Sequence, residues 1–145
     1  MTEVIATNQT ILVVGGGISG LTAALEAAET GKQVVLVEKR PYVGGRVTQL
    51  YKYFPKLCFP TCGLEINQRR AKMNPNLKII TMAEVTDVQG EAGNYSATLK
   101  ISPRYINDNC TACGDCNKAV EAEFADEHNY GMGKRKGAYL PHRMA

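Results

Sequence analysis

The 145-residue chain has no tryptophan, only two histidines, and 7% aromatic residues. Its longest purely aliphatic run, Val34 to Val37, is far short of the roughly 20 apolar residues that a membrane-spanning helix needs. The first apolar run, Ile11 to Val14, is brief and leads straight into glycines, so no cleavable secretory segment is visible. Six prolines and fourteen glycines show no triplet period, and no heptad pattern is sustained, which excludes collagen and coiled coil. A net charge of +3, without a stripe of interleaved basic and aromatic residues, gives little support for nucleic-acid binding. What is present, 44% hydrophobic and 21% charged residues, is enough to build one core in one domain. A soluble, cytoplasmic chain is expected.

Five cysteines are the next signal, in two groups, Cys58/Cys62 and Cys110/Cys113/Cys116. In a reducing compartment such clusters point to metal or redox chemistry rather than structural disulfides.

Local patterning gives the frame. Residues 1–10 are a polar lead-in, and Ile11 to Val14 reads as a short buried strand. Ile18, Leu21, Leu25 and Ala28 keep helical spacing up to Gly31, a C-terminal cap. Gln33 to Val37 reads as a second, parallel strand buried on both faces, completing a βαβ unit. Pro41 to Pro60 reads as an extended loop and Leu64 to Met73 as a helix. Leu77 to Thr81 is a third strand, and Glu84 to Val88 with Tyr95 to Ile101 a hairpin turning on Gly90 to Gly93. The expected divisions are 1–102, the start of a nucleotide-binding domain; 103–130, a cysteine-bearing insertion; and 131–145, a returning segment.

Gly15-x-Gly17-x-x-Gly20 follows the first strand and opens the helix, the context in which this motif has a mechanism. Gly15 makes the tight turn, Gly17 lets the backbone approach a pyrophosphate, and Gly20 lets helix and strand pack closely. The helix start, with Ile18 and Ser19, offers free N–H groups to the phosphates. Glu38, 18 residues after Gly20, is placed to bind an adenosine ribose and disfavours a 2′-phosphate. The alternative is a glycine turn that binds no nucleotide.

The segment Glu38-Lys39-Arg40-Pro41-Tyr42-Val43-Gly44-Gly45-Arg46 resembles the start of glutathione-reductase-like FAD flavoproteins. That likeness favours FAD over NAD, with Lys39, Gly45 and Arg46 joining the cofactor-binding set. Cys110-x-x-Cys113-x-x-Cys116 has the spacing of bacterial ferredoxin loops, and Gly114 eases the turn. The cysteine usual at the next step of two-cluster ferredoxins is replaced by Val120, but that cysteine ligates the other cluster. A single [4Fe-4S] cluster on this triplet takes its fourth ligand from far away in sequence, with Cys62, Cys58 or a residue beyond this chain as candidates. A zinc site from Cys58, Cys62, Cys110 and Cys113, in an NAD-linked dehydrogenase domain, is the rival, but it leaves Cys116 unexplained; a degenerate remnant in a non-catalytic docking subunit is the third reading. His128 and His142 read as surface or loop histidines, and Lys134-Arg135-Lys136 as a solvated run.

Taken together, the glycine motifs, the GGR-x-x-Q-L-x-K-x-F-P-x-L-C run, PRYINDNCTACGDC and NYGMGKRKGAYLPHRMA resemble the A-type flavoprotein subunits of heterodisulfide reductases. Within them the likeness is nearest to the quinone-interacting membrane-bound branch. The resemblance implies an incomplete Rossmann-like FAD-binding α/β fold carrying a β-hairpin and a ferredoxin-like insertion. It also implies an oxidoreductase subunit that relays electrons between FAD and iron–sulfur centres, with no residue here acting as an acid–base catalyst. Partners implied are the other subunits of such a complex and adenylylsulfate reductase, linked to the quinone pool and touching the membrane only through a partner subunit. These subunits are longer, and Ala138 to Leu140 reads as a returning strand, so an N-terminal fragment is expected.

Overall fold

The computed structural model describes residues 10–107, 109–142, 144 and 145; the polar lead-in expected at the amino terminus lies almost wholly outside them. Strand β1 (Ile11–Val14) leads into helix α1 (Ile18–Glu29), then β2 (Val34–Glu38). A long loop with a short 3-10 turn at Val47–Gln49 reaches helix α2 (Thr61–Met73), followed by β3 (Leu77–Thr81). These three strands form one parallel sheet in the order β1-β2-β3, with Val13 beside Leu36 and Leu36 beside Ile79. Among the described residues, no helix is long and apolar enough to cross a membrane.

The core sits where α1 covers the sheet and α2 packs against α1. Leu21, Ala24, Leu25 and Ala28 point inward from α1 and meet Val34 and Leu36 of β2, Val43 and Leu64. The spacing of the four α1 residues makes one apolar stripe, so burial rather than propensity holds the helix. Its end is fixed locally. Gly31 (φ +88°) donates to the Ala28 carbonyl at 3.0 Å and Lys32 to that of Ala27 at 3.3 Å, the paired bonds of a Schellman cap. Outside the core, Arg70 of α2 forks onto Glu29 (2.8 Å from both Nε and Nη2) and reaches Glu26 at 2.6 Å, tying the two helices at their surface.

Four local expectations need correction. Strand β1 pairs only with β2 among the described residues, leaving Val14 64% exposed, so its apolar run marks an edge strand rather than a buried one. Helix α2 starts three residues earlier than its apolar periodicity suggests, because Pro60 already holds helical φ and ψ at the cap; Cys62 therefore lies inside the first turn. The hairpin is longer, β4 (Ala83–Glu91) with β5 (Asn94–Ile101), and contains an irregularity between Val85 and Asp87. Its turn is confined to residues 92–93, and Gly90 lies within β4 at φ +110°.

The fourth correction concerns the last third. After a five-residue helix α3 (Asp115–Ala119), β6 (Glu123–Ala125) pairs antiparallel with β7 (Lys134–Lys136). Ala138 to Leu140 is not a strand; the basic run before it is. Arg135 is inserted between the rings of Phe124 (5.8 Å) and Tyr139 (4.2 Å), so the run is not simply solvated. The pairing also spans the 130/131 division expected from composition.

Candidate functional site

The first glycine loop has a distinct task at each position. Gly15 turns the chain off β1 at φ +100°, a backbone region that side chains disfavour, while its N–H stays bonded to Val37 (2.8 Å). A Cβ on Gly20 would collide with the Gly15 carbonyl oxygen, so that glycine is required for the helix to pack on the turn. A Cβ on Gly17 would meet nothing within 4 Å. Gly17 also caps α1 with no side-chain bond, and the first helical bond runs from Leu21 N–H to the Gly17 carbonyl at 2.8 Å. The amides of Ile18, Ser19 and Gly20 thus have no acceptor within the helix, which leaves donors and positive partial charge facing the open side of Gly17.

The second glycine loop is stitched onto the first. Gly44 N–H donates to the Gly16 carbonyl at 2.7 Å, and Gly17 and Gly44 form a parallel bridge. A Cβ on Gly45 (φ +64°) would stand 3.0 Å from the Gly17 Cα, and Thr48, buried, donates from Oγ1 to the Gly45 carbonyl at 2.9 Å. Glu38, at the end of β2, accepts from Gly16 N–H on one oxygen (2.5 Å) and from Arg40 N–H on the other (2.8 Å). Each carboxylate oxygen keeps a further lone pair for a sugar hydroxyl. A pyrophosphate and ribose therefore fit this corner: free amides, an uncovered backbone and an acid at its edge.

Two of the expected cofactor residues are engaged by groups of the protein. The Lys39 ammonium lies 3.8 Å from Glu84, both exposed. The Arg46 guanidinium donates to the His128 carbonyl at 3.0 Å and stacks on Tyr130 at 4.9 Å.

Cys110, Cys113 and Cys116 line one cavity of about 940 Å³, walled also by Arg104, Tyr105 and Tyr139. Ala112 N–H donates to Cys110 Sγ at 3.4 Å, and Gly114 turns at φ +83° to start α3. All five cysteines are free thiols, and among the described residues no three His, Cys, Asp or Glu side chains converge to metal-binding distance. The three thiols thus share a space without being drawn together, as in metal loops whose final geometry forms with the metal. The chemistry of the set fits an iron–sulfur centre, with three ligands from this loop. Cys62 and Cys58 do not line this cavity. Beside Cys58 the Tyr53 phenol is pushed up, first by its hydrogen bond to that cysteine.

Sequence reasoning missed several side chains. Thr48 fixes the second glycine loop. Gln49 donates to the buried Tyr42 hydroxyl at 2.7 Å and faces His128 Nδ1 at 2.8 Å. His142, expected on the surface or in a loop, lies in a loop but is buried edge-on against Tyr42 at 5.0 Å, and burial lowers its pKa. Gln49 stands in the G-G-R-x-x-Q run, so its spacing was visible although its partner was not.

Comparison with known proteins places these features. The profile described as FAD dependent oxidoreductase matches residues 10–72. The chain is 42% identical over 135 residues to the second A-type iron-sulfur subunit of CoB–CoM heterodisulfide reductase from Methanopyrus kandleri, covering 92% of this chain and 21% of that protein. Against the A-type iron-sulfur subunit of CoB–CoM heterodisulfide reductase from Methanocaldococcus jannaschii the identity is 39% over 147 residues, covering 99% and 22%. The chain belongs to the family of heterodisulfide reductase A-type subunits. It spans about a fifth of the length of these family members. Among solved structures, the L-proline dehydrogenase from P. horikoshii superposes with a TM-score of 0.53 at 22% identity, covering 64% of this chain and 20% of that one. That likeness concerns the fold, the Rossmann-like FAD-binding α/β fold, of which this heterodisulfide-reductase-type chain forms one part.

Proposed function

We propose that the chain cradles the dinucleotide half of FAD and carries an iron–sulfur centre, as part of an electron-relaying oxidoreductase of the heterodisulfide-reductase type. The observation that carries this reading is the joined pair of glycine loops, in which Gly17 faces open space beside three unbonded helix amides. Ile18, Ser19 and Gly20 would donate to the pyrophosphate and Glu38 would accept from the ribose. Gly15 and Gly45 hold the turn and the loop contact that expose those groups, while Lys39 and Arg46 add positive charge at the rim. Cys110, Cys113 and Cys116 would supply three thiolates to the cluster, and a fourth would come from Cys62 or Cys58, which lie outside their cavity and would have to be brought to it, or from a residue beyond this chain. Bound FAD supplies hydride and single-electron exchange, and the chain contributes position and electrostatics.

Methanogen-type subunits look to carry C-x2-C where this chain has Cys58-x3-Cys62, and to continue past Cys116 with a cysteine-proline that is absent here; these two departures favour the quinone-interacting branch. Electrons would then pass between adenylylsulfate reductase and the quinone pool, on the cytoplasmic side, with the membrane met through a partner subunit. We assign residues 103–130 to the cluster-bearing insertion and the flanking segments to the FAD domain.

The decisive test is Gly17→Leu in the full-length protein, prepared anaerobically. Thermal stability is expected to stay within about 0.5 kcal/mol of wild type, because the new side chain enters open space, while flavin absorbance is lost on gel filtration. Full flavin retention by that variant, or zinc without acid-labile sulfide in the wild type, would overturn the assignment of the corresponding cofactor.

A further inference from the structure

We propose that His128 is a positioning residue that locks the cysteine insertion onto the Gly-Gly-Arg loop and thereby sets where the cysteine cavity stands relative to the dinucleotide corner. The proposal rests on the cofactor reading above for its functional consequence. It rests on contacts alone for the lock itself.

Both ends of His128 are engaged. Its carbonyl accepts from Arg46 Nη2 at 3.0 Å, and its ring Nδ1 lies 2.8 Å from Gln49 Oε1. The Gln49 amide nitrogen donates to the Tyr42 hydroxyl at 2.7 Å, which turns its oxygen, an acceptor only, to the histidine and makes Nδ1 the donor. Tyr42 is buried, so Gln49 is anchored from below and the bond to His128 is made by a prepositioned acceptor. Stacking of Arg46 on Tyr130, two residues further on, adds a second grip on the same loop.

The loop bearing His128 is also built in advance. Asp126 accepts from His128 N–H at 3.0 Å through its side chain and from Gly131 N–H at 2.8 Å through its carbonyl. Asp126 N–H donates to the Gly133 carbonyl at 2.9 Å, and Asn129 accepts from Gly133 N–H at 3.2 Å. Such a closed turn loses little further freedom when it docks. From it the chain runs through β7 to Tyr139 and Leu140. These two residues wall both the cavity of about 200 Å³ beneath the lock and the cysteine cavity. With Arg135 stacked on Tyr139 at 4.2 Å, movement of the His128 loop is passed to the wall of the cysteine cavity.

The test uses the full-length protein with His128→Ala, Gln49→Leu and His128→Asn, whose amide N–H replaces the ring donor. Flavin, iron and sulfide contents are expected to match wild type in all three. After flash photoreduction of the flavin, electron passage to the iron–sulfur centre is expected to slow about 10- to 100-fold in His128→Ala and Gln49→Leu, the scale of a small misplacement, and to recover in His128→Asn. A wild-type rate in His128→Ala with cofactors intact, or a His128→Asn variant as slow as His128→Ala, would overturn the proposal. Absence of flavin or iron from the wild type would instead sink the cofactor reading. In that case hydrogen exchange decides: peptides 44–50 and 126–133 should exchange about tenfold faster in His128→Ala and not in His128→Asn, and equal protection in all three proteins would refute the lock.

Discussion

The glycine corner and the cysteine insertion are held by different forces. Around the corner, Leu21, Leu25, Leu36 and Leu64 are fully buried, and backbone meets backbone where glycine permits it. Between residues 103 and 130 no described residue is buried; α3 has five residues and β6 three exposed ones. A segment without an apolar core depends on its ligands and its polar contacts for shape. The corner is therefore organised by its own packing, whereas residues 103–130 have only polar contacts and short backbone pairing to hold their shape, to which a cluster, on the reading proposed above, would add.

The strongest way to break this comparison is Gly20→Val. Its Cβ would meet a backbone carbonyl that cannot rotate away, and the loss expected is about 3 kcal/mol or more of stability, read by denaturant unfolding followed by circular dichroism. Set beside Gly17→Leu, it separates a glycine kept for packing from one kept for a ligand. Equal stability of the two variants would show that the close approach at Gly20 does not hold the fold.

Cys113→Ser should act on the other region alone. Iron content is expected to fall, and cleavage within 103–130 by a limiting protease to rise about tenfold, as local opening becomes easier. Flavin retention and the global unfolding midpoint should stay near wild type. A matching loss of flavin would show that the two regions fold as one unit.

The same division governs what could be read from the sequence. The glycine corner was legible because its signals are local: a strand, a turn, a helix start and the Gly31 cap each follow within a few residues. The contact of Gly44 with Gly16, and that of Gln49 with His128 79 residues away, are products of the tertiary fold and leave no periodicity. Composition misled in two places. Apolar residues in β1 suggested burial on both sides, yet Val14 lies on an edge. Three successive basic residues in β7 hid an alternation, in which Lys134 faces solvent while Arg135 lies between aromatic rings. The spacing of Cys110, Cys113 and Cys116 goes with a place for all three on the wall of one cavity, but it does not bring the three thiols together.

The smallest expected effect concerns His142, which joins the carboxyl end of the described chain to the first region through Tyr42. Its Nδ1 accepts from Met144 N–H at 3.1 Å, while Nε2 is buried without a partner. Burial disfavours the charged ring, so its folded pKa lies below the 6.5 of the free side chain. Between those two values the unfolded chain binds the extra proton, so stability is complete above pH 6.5 and falls as the medium is acidified through that window. Glu29, lowered by the hydrogen bond from Arg70, loses its contribution in a separate window, as pH falls below its unfolded value of 4.5. His142→Phe keeps a ring against Tyr42 and removes the titration. Its unfolding midpoint should therefore be flat from about pH 7.5 to about pH 5.5, where the wild type loses about 1 kcal/mol or less. An equally sloped profile in both proteins would mean that the histidine ionises freely and that the terminal segment does not close over Tyr42.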